Sequence, residues 1–276
     1  MKIITYCLIL YTCLNHAYAQ SRVISGTVYS RNGKPIPYVN IGIKGSNNGT
    51  VSNQTGQFKI ELPDTLLKEV ITFSCVGYIQ KDLPIKLTFA KEQNEIFLEQ
   101  KIIELAEVKI NNKGRKSYKI GIIARTPFIM TPSESYNDND IIEQARLIPI
   151  KQAVKLLDAN IYLASSVLDS VKLRLNFYKL VNGIPGERVV EKNIVQTFAL
   201  KKGWLSFDLS KQDIFMNEDF VVSFEYLPDE QIKGKKIRLF FGAKLGSSNS
   251  YGRNSSLGLW QKHKGVNTTI YVTVRP

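Results

Sequence analysis

From residue 22 the chain alternates with a period of two. Val23, Ser25, Thr27 and Tyr29 point one way, while Ile24, Gly26, Val28 and Ser30 point the other. That is the spacing of a β-strand, whose successive side chains face opposite sides. Asn32-Gly33 tolerates the positive φ of a tight turn, and Pro35 and Pro37 lead into a strand expected over 38–44. Gly45-Ser46-Asn47-Asn48-Gly49 is a loop by composition. The dense stretch 49–60 packs a short strand, a polar turn closed by Gly56 and a second alternating strand, and reads as a hairpin. Further strands are expected over 69–76, 79–85 and 95–98, without a convincing helix. The pattern predicts a small seven-stranded β-sandwich.

Residues 101–118 change character, from an extended apolar stretch to the polar, basic run Asn111-Asn112-Lys113-Gly114-Arg115-Lys116. This reads as a linker. Strands then return over 119–124, 143–148, 153–164, 171–180, 194–198, 204–209, 220–227, 236–245, 257–261 and 268–274. In the clearest of them Val171, Leu173, Leu175 and Phe177 share one face, and Lys172, Arg174, Asn176 and Tyr178 share the other. That is the mark of a half-buried antiparallel strand. Residues 131–140 read as a loop, and 140–146 has the makings of a brief helix. The fold class is therefore all-β: a seven-stranded transthyretin-like sandwich, then a larger jelly-roll-like sandwich.

The first nineteen residues stand apart. Lys2, the apolar run 3–14 and the small-x-small ending Ala17-Tyr18-Ala19 make a secretory signal peptide, with the mature chain starting near Gln20. The expected division is 1–19 signal peptide, 20–100 first sandwich, 101–118 linker and 119–276 second sandwich. No later segment approaches the roughly 18 apolar residues of a membrane helix. An exported protein of the periplasm, cell surface or outer membrane is expected. Cys7 and Cys13 leave with the signal, so Cys75 is left without an intrachain partner, and its apolar setting predicts a packed, inert thiol. A composition of 43% hydrophobic and 22% charged residues is that of a globular chain able to build its own core.

Several short motifs occur in a telling order: Ser25-Gly26-Thr27-Val28, Gly33-Lys34-Pro35-Ile36, Val39-Asn40-Ile41, Gly49-Thr50, Gly56-Gln57-Phe58 and Val76-Gly77-Tyr78. The segment resembles the carboxypeptidase regulatory-like domains of exported Bacteroidetes-type proteins. The resemblance implies a transthyretin-like sandwich without catalytic residues, acting in folding, spacing or interaction. Similar domains open outer-membrane TonB-dependent transporters, and Glu104-Leu105-Ala106-Glu107-Val108 is similar to the segment that follows the domain there. The family's turn aspartate is replaced by Asn53. Asparagine can still cap the turn, but a carboxylate ligand for calcium is lost. Arg174-Leu175-Asn176-Phe177-Tyr178, Gly203-Trp204 and Asp208-Leu209-Ser210 are similar to the downstream region of Bacteroidetes proteins with the same leading domain.

Catalytic chemistry is scarce. His16 leaves with the signal, so His263 is the mature chain's one histidine, set between Lys262 and Lys264 as if in a solvated loop. A zinc hydrolase needs more ligands than this, and no nucleophile elbow, phosphate loop or Cys/His cluster is present. Asp138-Asn139-Asp140 and Asn217-Glu218-Asp219 read as turns. The expectation is a non-enzyme with no cofactor and no metal. The alternatives are a glycan-active hydrolase with a carboxylate pair in the second sandwich, or a relative of the N-terminal part of TonB-dependent transporters.

Charge is the remaining handle. The net charge is +13, and the last 46 residues hold nine Lys or Arg and no acid. Interleaved with aromatic residues, they nominate a binding set: Lys233, Lys235, Lys236, Arg238, Lys244, Tyr251, Arg253, Trp260, Lys262 and Lys264. Such a patch would attract an anionic glycan, lipopolysaccharide or an envelope protein. The export signal and the lack of a nucleic-acid motif argue against nucleic acid.

Overall fold

The computed structural model describes residues 21–88, 93–102, 116–137, 139–166, 168–199, 201–228 and 237–276. The expected signal peptide and most of the expected linker lie outside them. The architecture is all-β, interrupted by a 3-10 turn at Asp64–Leu66 and a single helical turn at Ile85–Thr88. Among the described residues no helix is long and apolar enough to cross a membrane.

The N-terminal unit has seven strands in two sheets. In one, Ser21–Ser30 lies between antiparallel Gln57–Pro63 and parallel Asn94–Leu98. The other runs Gly49–Val51, Asn40–Gly42, Val70–Ser74, Lys81–Pro84. Period-two burial follows the sequence pattern: Phe58, Ile60 and Leu62 point inward and meet Ile24, Val28, Ile41, Ile71, Phe73 and Ile96. Cys75 is buried and free in this core, and burial pushes its thiol pKa up.

The stretch 49–60 is not a hairpin. Its two strands belong to different sheets, and the turn between them is a corner. Asn53 holds that corner, its Oδ1 accepting from the backbone N–H groups of Thr55 and Gln57 at 2.9 Å each. Gly56 closes it at φ +76°, where a Cβ would come within 2.7 Å of the Val28 carbonyl. Local alternation shows two strands and a turn, but strand partners are set elsewhere: Gly49–Val51 pairs with Asn40–Gly42, and Gln57–Pro63 with Ser21–Ser30.

The C-terminal unit is a larger sandwich. One sheet follows the path Ile184–Arg188, Ser170–Val181, Phe220–Leu227, Ile142–Ile148, Ser250–Arg253, Gln261–Lys262, with Ile194–Ala199 also on Ser170–Val181. The facing sheet runs Val266–Thr268, Arg238–Leu245, Val154–Ser166, Ile270–Arg275, Tyr118–Gly121, and takes on Gly203–Asp208, Phe215–Met216 and Met130–Glu134. Val171, Leu173, Leu175 and Phe177 do face the core, against Ile161, Leu163, Phe207, Phe241 and Val272 of the opposite sheet.

Sequence patterning finds fewer strands here than form. Met130–Glu134, Ile184–Arg188 and Ser250–Arg253 are strands whose short polar texts hide any alternation. The segment 140–146 forms no helix, because Ile142–Ile148 pairs with strands on both sides. Of the strand expected at 257–261, Gln261 alone lies in one.

Candidate functional site: a buried charge network between the two units

The even-numbered face of Ser170–Val181 is not turned to water. Arg174, Asn176 and Tyr178 are buried, and so is every residue of the neighbouring Phe220–Leu227. Phe220, Val222 and Phe224 fill the core on one side of that strand, while Ser223 and Glu225 stand on the other with Arg174 and Asn176. What covers this face is the N-terminal unit, through Tyr38 and Asn40.

Arg174 and Glu225 are each 0% exposed and form a two-point pair, Nε to Oε2 at 2.7 Å and Nη2 to Oε1 at 2.8 Å. Arg174 Nη1 donates to the Tyr38 carbonyl at 2.7 Å, and Nη2 also donates to Asn40 Oδ1. Asn40 Nδ2 returns to Glu225 Oε1 at 2.6 Å. Asn176 Nδ2 bridges Glu225 Oε2 at 2.7 Å and Glu143 Oε1 at 3.1 Å. Glu143 accepts from Tyr178 Oη at 2.9 Å, from Ser223 Oγ, and from Arg253 Nε at 2.7 Å. Two guanidinium groups and two carboxylates thus balance in a buried seam. Burial alone would push the Glu225 carboxyl up, but the contacting Arg174 guanidinium, helped by Arg188 and Arg253, holds it well below the usual carboxylate range. Burial likewise opposes the Arg174 charge, and Glu225 restores it. Both glutamates are paired with arginine, Glu225 with Arg174 and Glu143 with Arg253.

A second patch flanks the first. Val51 N donates to Asn139 O at 3.0 Å, Gly45 N to Leu257 O at 2.9 Å, and Asn137 Nδ2 to Gly49 O at 3.1 Å. Tyr38 and Val51 pack on Ile141 and Leu227. Asp140, expected in a simple turn, is fully buried beside this contact. Its carboxylate accepts from Ser255 Oγ at 2.6 Å and from the Ser256 and Ile141 N–H groups at 2.8 Å each. Burial outweighs those bonds and raises its pKa to about 6.

Because that value lies above the ordinary aspartate value of about 3.9, the folded state binds the extra proton. Asp140 therefore makes stability fall as pH rises from about 4 to about 6. Glu225 acts with the opposite sign, its contribution being lost in acid below its ordinary value. Asp140→Asn is expected to flatten the pH 4–6 limb of a urea-midpoint profile, and an unchanged limb would refute the assignment.

The described members of the sequence-nominated basic set fall in two groups, Arg238 and Lys244 on one sheet and Tyr251, Arg253, Trp260 and Lys262 together at the edge of the other. Lys233, Lys235 and Lys236 lie outside the described residues. Arg238 is paired with Glu134, and Lys244 is exposed on the same strand of the eight-stranded sheet. Tyr251 and Arg253 are buried in the other sheet. Arg253 is committed to Glu143 and sits 4.6 Å from the Trp260 ring centroid. Lys262 and Lys264 are exposed near the half-buried Trp260. Burial and pairing thus remove Tyr251, Arg253 and Arg238 from any free basic surface. His263 is not solvated either. It is half-buried, its N–H bonded to Ser250 O at 2.9 Å, beside a small cleft shared with Gln144 and Gly252. Burial lowers its pKa.

In sequence, Arg174 and Asn40 stand out only as parts of motifs and Asp140 only as part of a turn, and Glu143 and Glu225 carry no assigned role. One signal was present: Glu225 is a lone acid inside the apolar run Phe220-Val221-Val222-Ser223-Phe224-Glu225-Tyr226-Leu227. A charge placed there needs a buried partner.

Residues 24–110 match the CarboxypepD_reg-like domain model. A TonB-dependent receptor of Formosa agariphila is 33% identical over 103 residues, 37% of this chain and 9% of that protein. The TonB-dependent receptor SusC of Bacteroides thetaiotaomicron is 28% identical over 99 residues, 35% of this chain and 10% of that protein. The chain thus spans about a tenth of the length of these relatives. Among solved structures, the cysteine protease and lectin-like domains of a surface layer associated protein of Clostridium difficile align at TM-score 0.36 and 10% identity. That alignment covers 50% of this chain and 32% of that one, a likeness too small to carry an argument.

Proposed function

We propose that this protein, whose N-terminal unit is a carboxypeptidase regulatory-like domain, is an exported, non-catalytic module of the bacterial cell envelope that scaffolds binding. The observation that carries the reading is the buried network. A domain that the receptors carry as a small part of a long chain is here fastened face-on to a second sandwich, through Arg174, Glu225 and Asn40. Charges matched in a buried seam fix register between two bodies, which suits a rigid mount for presenting a surface. The N-terminal domain supplies the mount, and the C-terminal sandwich carries the binding surface. Its partners are drawn from anionic glycan, lipopolysaccharide or an envelope protein, with Lys262 and Lys264 as the exposed cations beside Trp260.

Cell fractionation with N-terminal sequencing tests this reading. The expected result is envelope-associated protein cleaved after Ala19. Protein retained in the cytoplasm with its first nineteen residues intact would overturn it.

A further inference from the structure

Where the two units meet below the network, they leave a cleft of about 460 Å³, within the size range of ligand sites and at the kind of place where such sites form. Ser74, Tyr78, Gln80 and Lys101 line it from the N-terminal side, and Tyr178 and Arg188 from the C-terminal side.

The charges here can be accounted for one by one. Arg253 is committed to Glu143. Lys101 pairs with Glu191 at 2.6 Å, and Glu191 also accepts the Gly77 N–H at 3.0 Å. Among the described residues no carboxylate forms an ion pair with Arg188. One of its terminal nitrogens donates to Ser74 Oγ at 3.2 Å, the guanidinium lies 5.8 Å from the Tyr178 ring centroid, and its Nε is buried without a protein acceptor. A guanidinium offers five donors in a planar fork that matches a carboxylate at two points. The Nε is closed off from the cleft, and of the two terminal nitrogens Nη1 is engaged with Ser74 while Nη2 takes no hydrogen bond among the described residues, so the terminal edge of the fork is the part that can receive a ligand.

We propose that the cleft binds a carboxylate-bearing sugar, a uronic acid unit of an acidic glycan, with Arg188 as the anchor of the carboxylate. The rest of the lining favours this ligand. Tyr78, Gln80 and Ser74 offer hydroxyl and amide groups suited to sugar hydroxyls, and the tyrosine rings offer apolar surface for ring C–H groups. Cys75, Ile79 and Leu257 add an apolar share to the lining. Glu187 and Glu191 also line the cleft. Glu191 is paired with Lys101, so Arg188 has only the Glu187 charge to outweigh for an anion to bind. The proposal deepens the binding-module reading and rests on it for the envelope source of the glycan.

The test is calorimetric titration of the mature chain with galacturonate and glucuronate oligomers, neutral oligomers of equal length, and a peptide with a free C-terminal carboxylate. Uronate oligomers should bind with an affinity that weakens as salt rises, and neutral oligomers should not bind. Arg188→Gln should weaken uronate binding by about tenfold or more, and Arg188→Lys, which keeps charge but not the fork, should fall between. Because Arg188 also lies over the Tyr178 ring and helps hold the Glu225 charge, Arg188→Gln should lower the melting temperature slightly, and Arg188→Lys, which keeps the charge, should lower it less. Should they fail to fold, protection of Arg188 from a dicarbonyl reagent by uronate oligomers in the parent protein reads the same contact. Equal binding of neutral oligomers, binding unchanged by Arg188→Gln, no uronate binding, or preference for the peptide would each overturn the proposal. None of these results moves the fractionation outcome, which judges the scaffold reading separately.

Discussion

Replacing Arg174 by alanine should destabilise the protein by about 3–5 kcal/mol, the cost of leaving a buried partner charge uncompensated. The residue and Glu225 are both 0% exposed, so solvent screening gives little relief. Three contacts go at once: the two-point pair to Glu225, the bond to the Tyr38 carbonyl and the bond to Asn40. Two of those partners belong to the other unit, so the loss should also appear as uncoupling. The parent is expected to unfold in urea as one transition, and Arg174→Ala as two, with the N-terminal unit separating from the sandwich. Replacing both members with apolar residues, Arg174→Met with Glu225→Leu, should recover most of the loss, since paired removal leaves no stranded charge. A single-mutant cost below about 1 kcal/mol, the range of a surface ion pair, would show that the seam is wet and the network incidental.

The second large effect is expected at Gly49. Its backbone is not in the left-handed region, so the requirement is one of space. A Cβ there would lie 2.7 Å from Ser255 Oγ, 2.8 Å from Asp140 Oδ2 and 2.8 Å from the Ser256 carbonyl, all in the other unit. Gly42 meets the same wall, with the Ser256 carbonyl 2.9 Å from its Cβ position. Gly49→Ala must therefore push the units apart or tear the Asp140 contacts, at the roughly 1–3 kcal/mol typical of overpacking. The sandwich core contains neither glycine, so the damage should stay at the seam. Hydrogen exchange reads it directly: the Val51 and Gly45 amides, which donate to Asn139 and Leu257, should lose protection while the strands of the core keep theirs. Unchanged protection at those two amides would refute the prediction. Combined with Arg174→Ala, the loss should be less than additive, because both substitutions open one interface.

How far the fold was legible follows from how local each signal is. Alternation placed Val171, Leu173, Leu175 and Phe177 on one face of a strand, and the structure has that face in the core, whereas Leu62, read from Leu62-Pro63-Asp64 as part of a turn, is a buried strand residue. The ordered glycine motifs identified the N-terminal domain, which the family model matches over 24–110. Asn53 holds its turn as its chemistry suggests. The supposed hairpin failed because two adjacent strands can part to different sheets, and nothing within twelve residues reveals which partner each will find. The pairing of two members of the basic C-terminal set was hidden for a related reason. Composition counts charges along the chain, but Arg253 faces Glu143 and Arg238 faces Glu134, each about a hundred residues away. Pairing at that range leaves no local trace.

By itself the sequence determined the all-β class, the two faces of the strand around 171–178, the domain at the N-terminus and the burial of Cys75. Each rests on short-range geometry, on side chains that alternate along a strand or on turn residues that fix φ. Only the tertiary structure decided what becomes of the opposite face. Lys172, Arg174, Asn176 and Tyr178 read in sequence as a strand's solvated side, because a polar group satisfied by protein and one satisfied by water call for the same residue types. Tyr38 and Asn40 arrive from more than 130 positions earlier and replace that water. A solvent face thereby becomes the seam on which the proposed function depends.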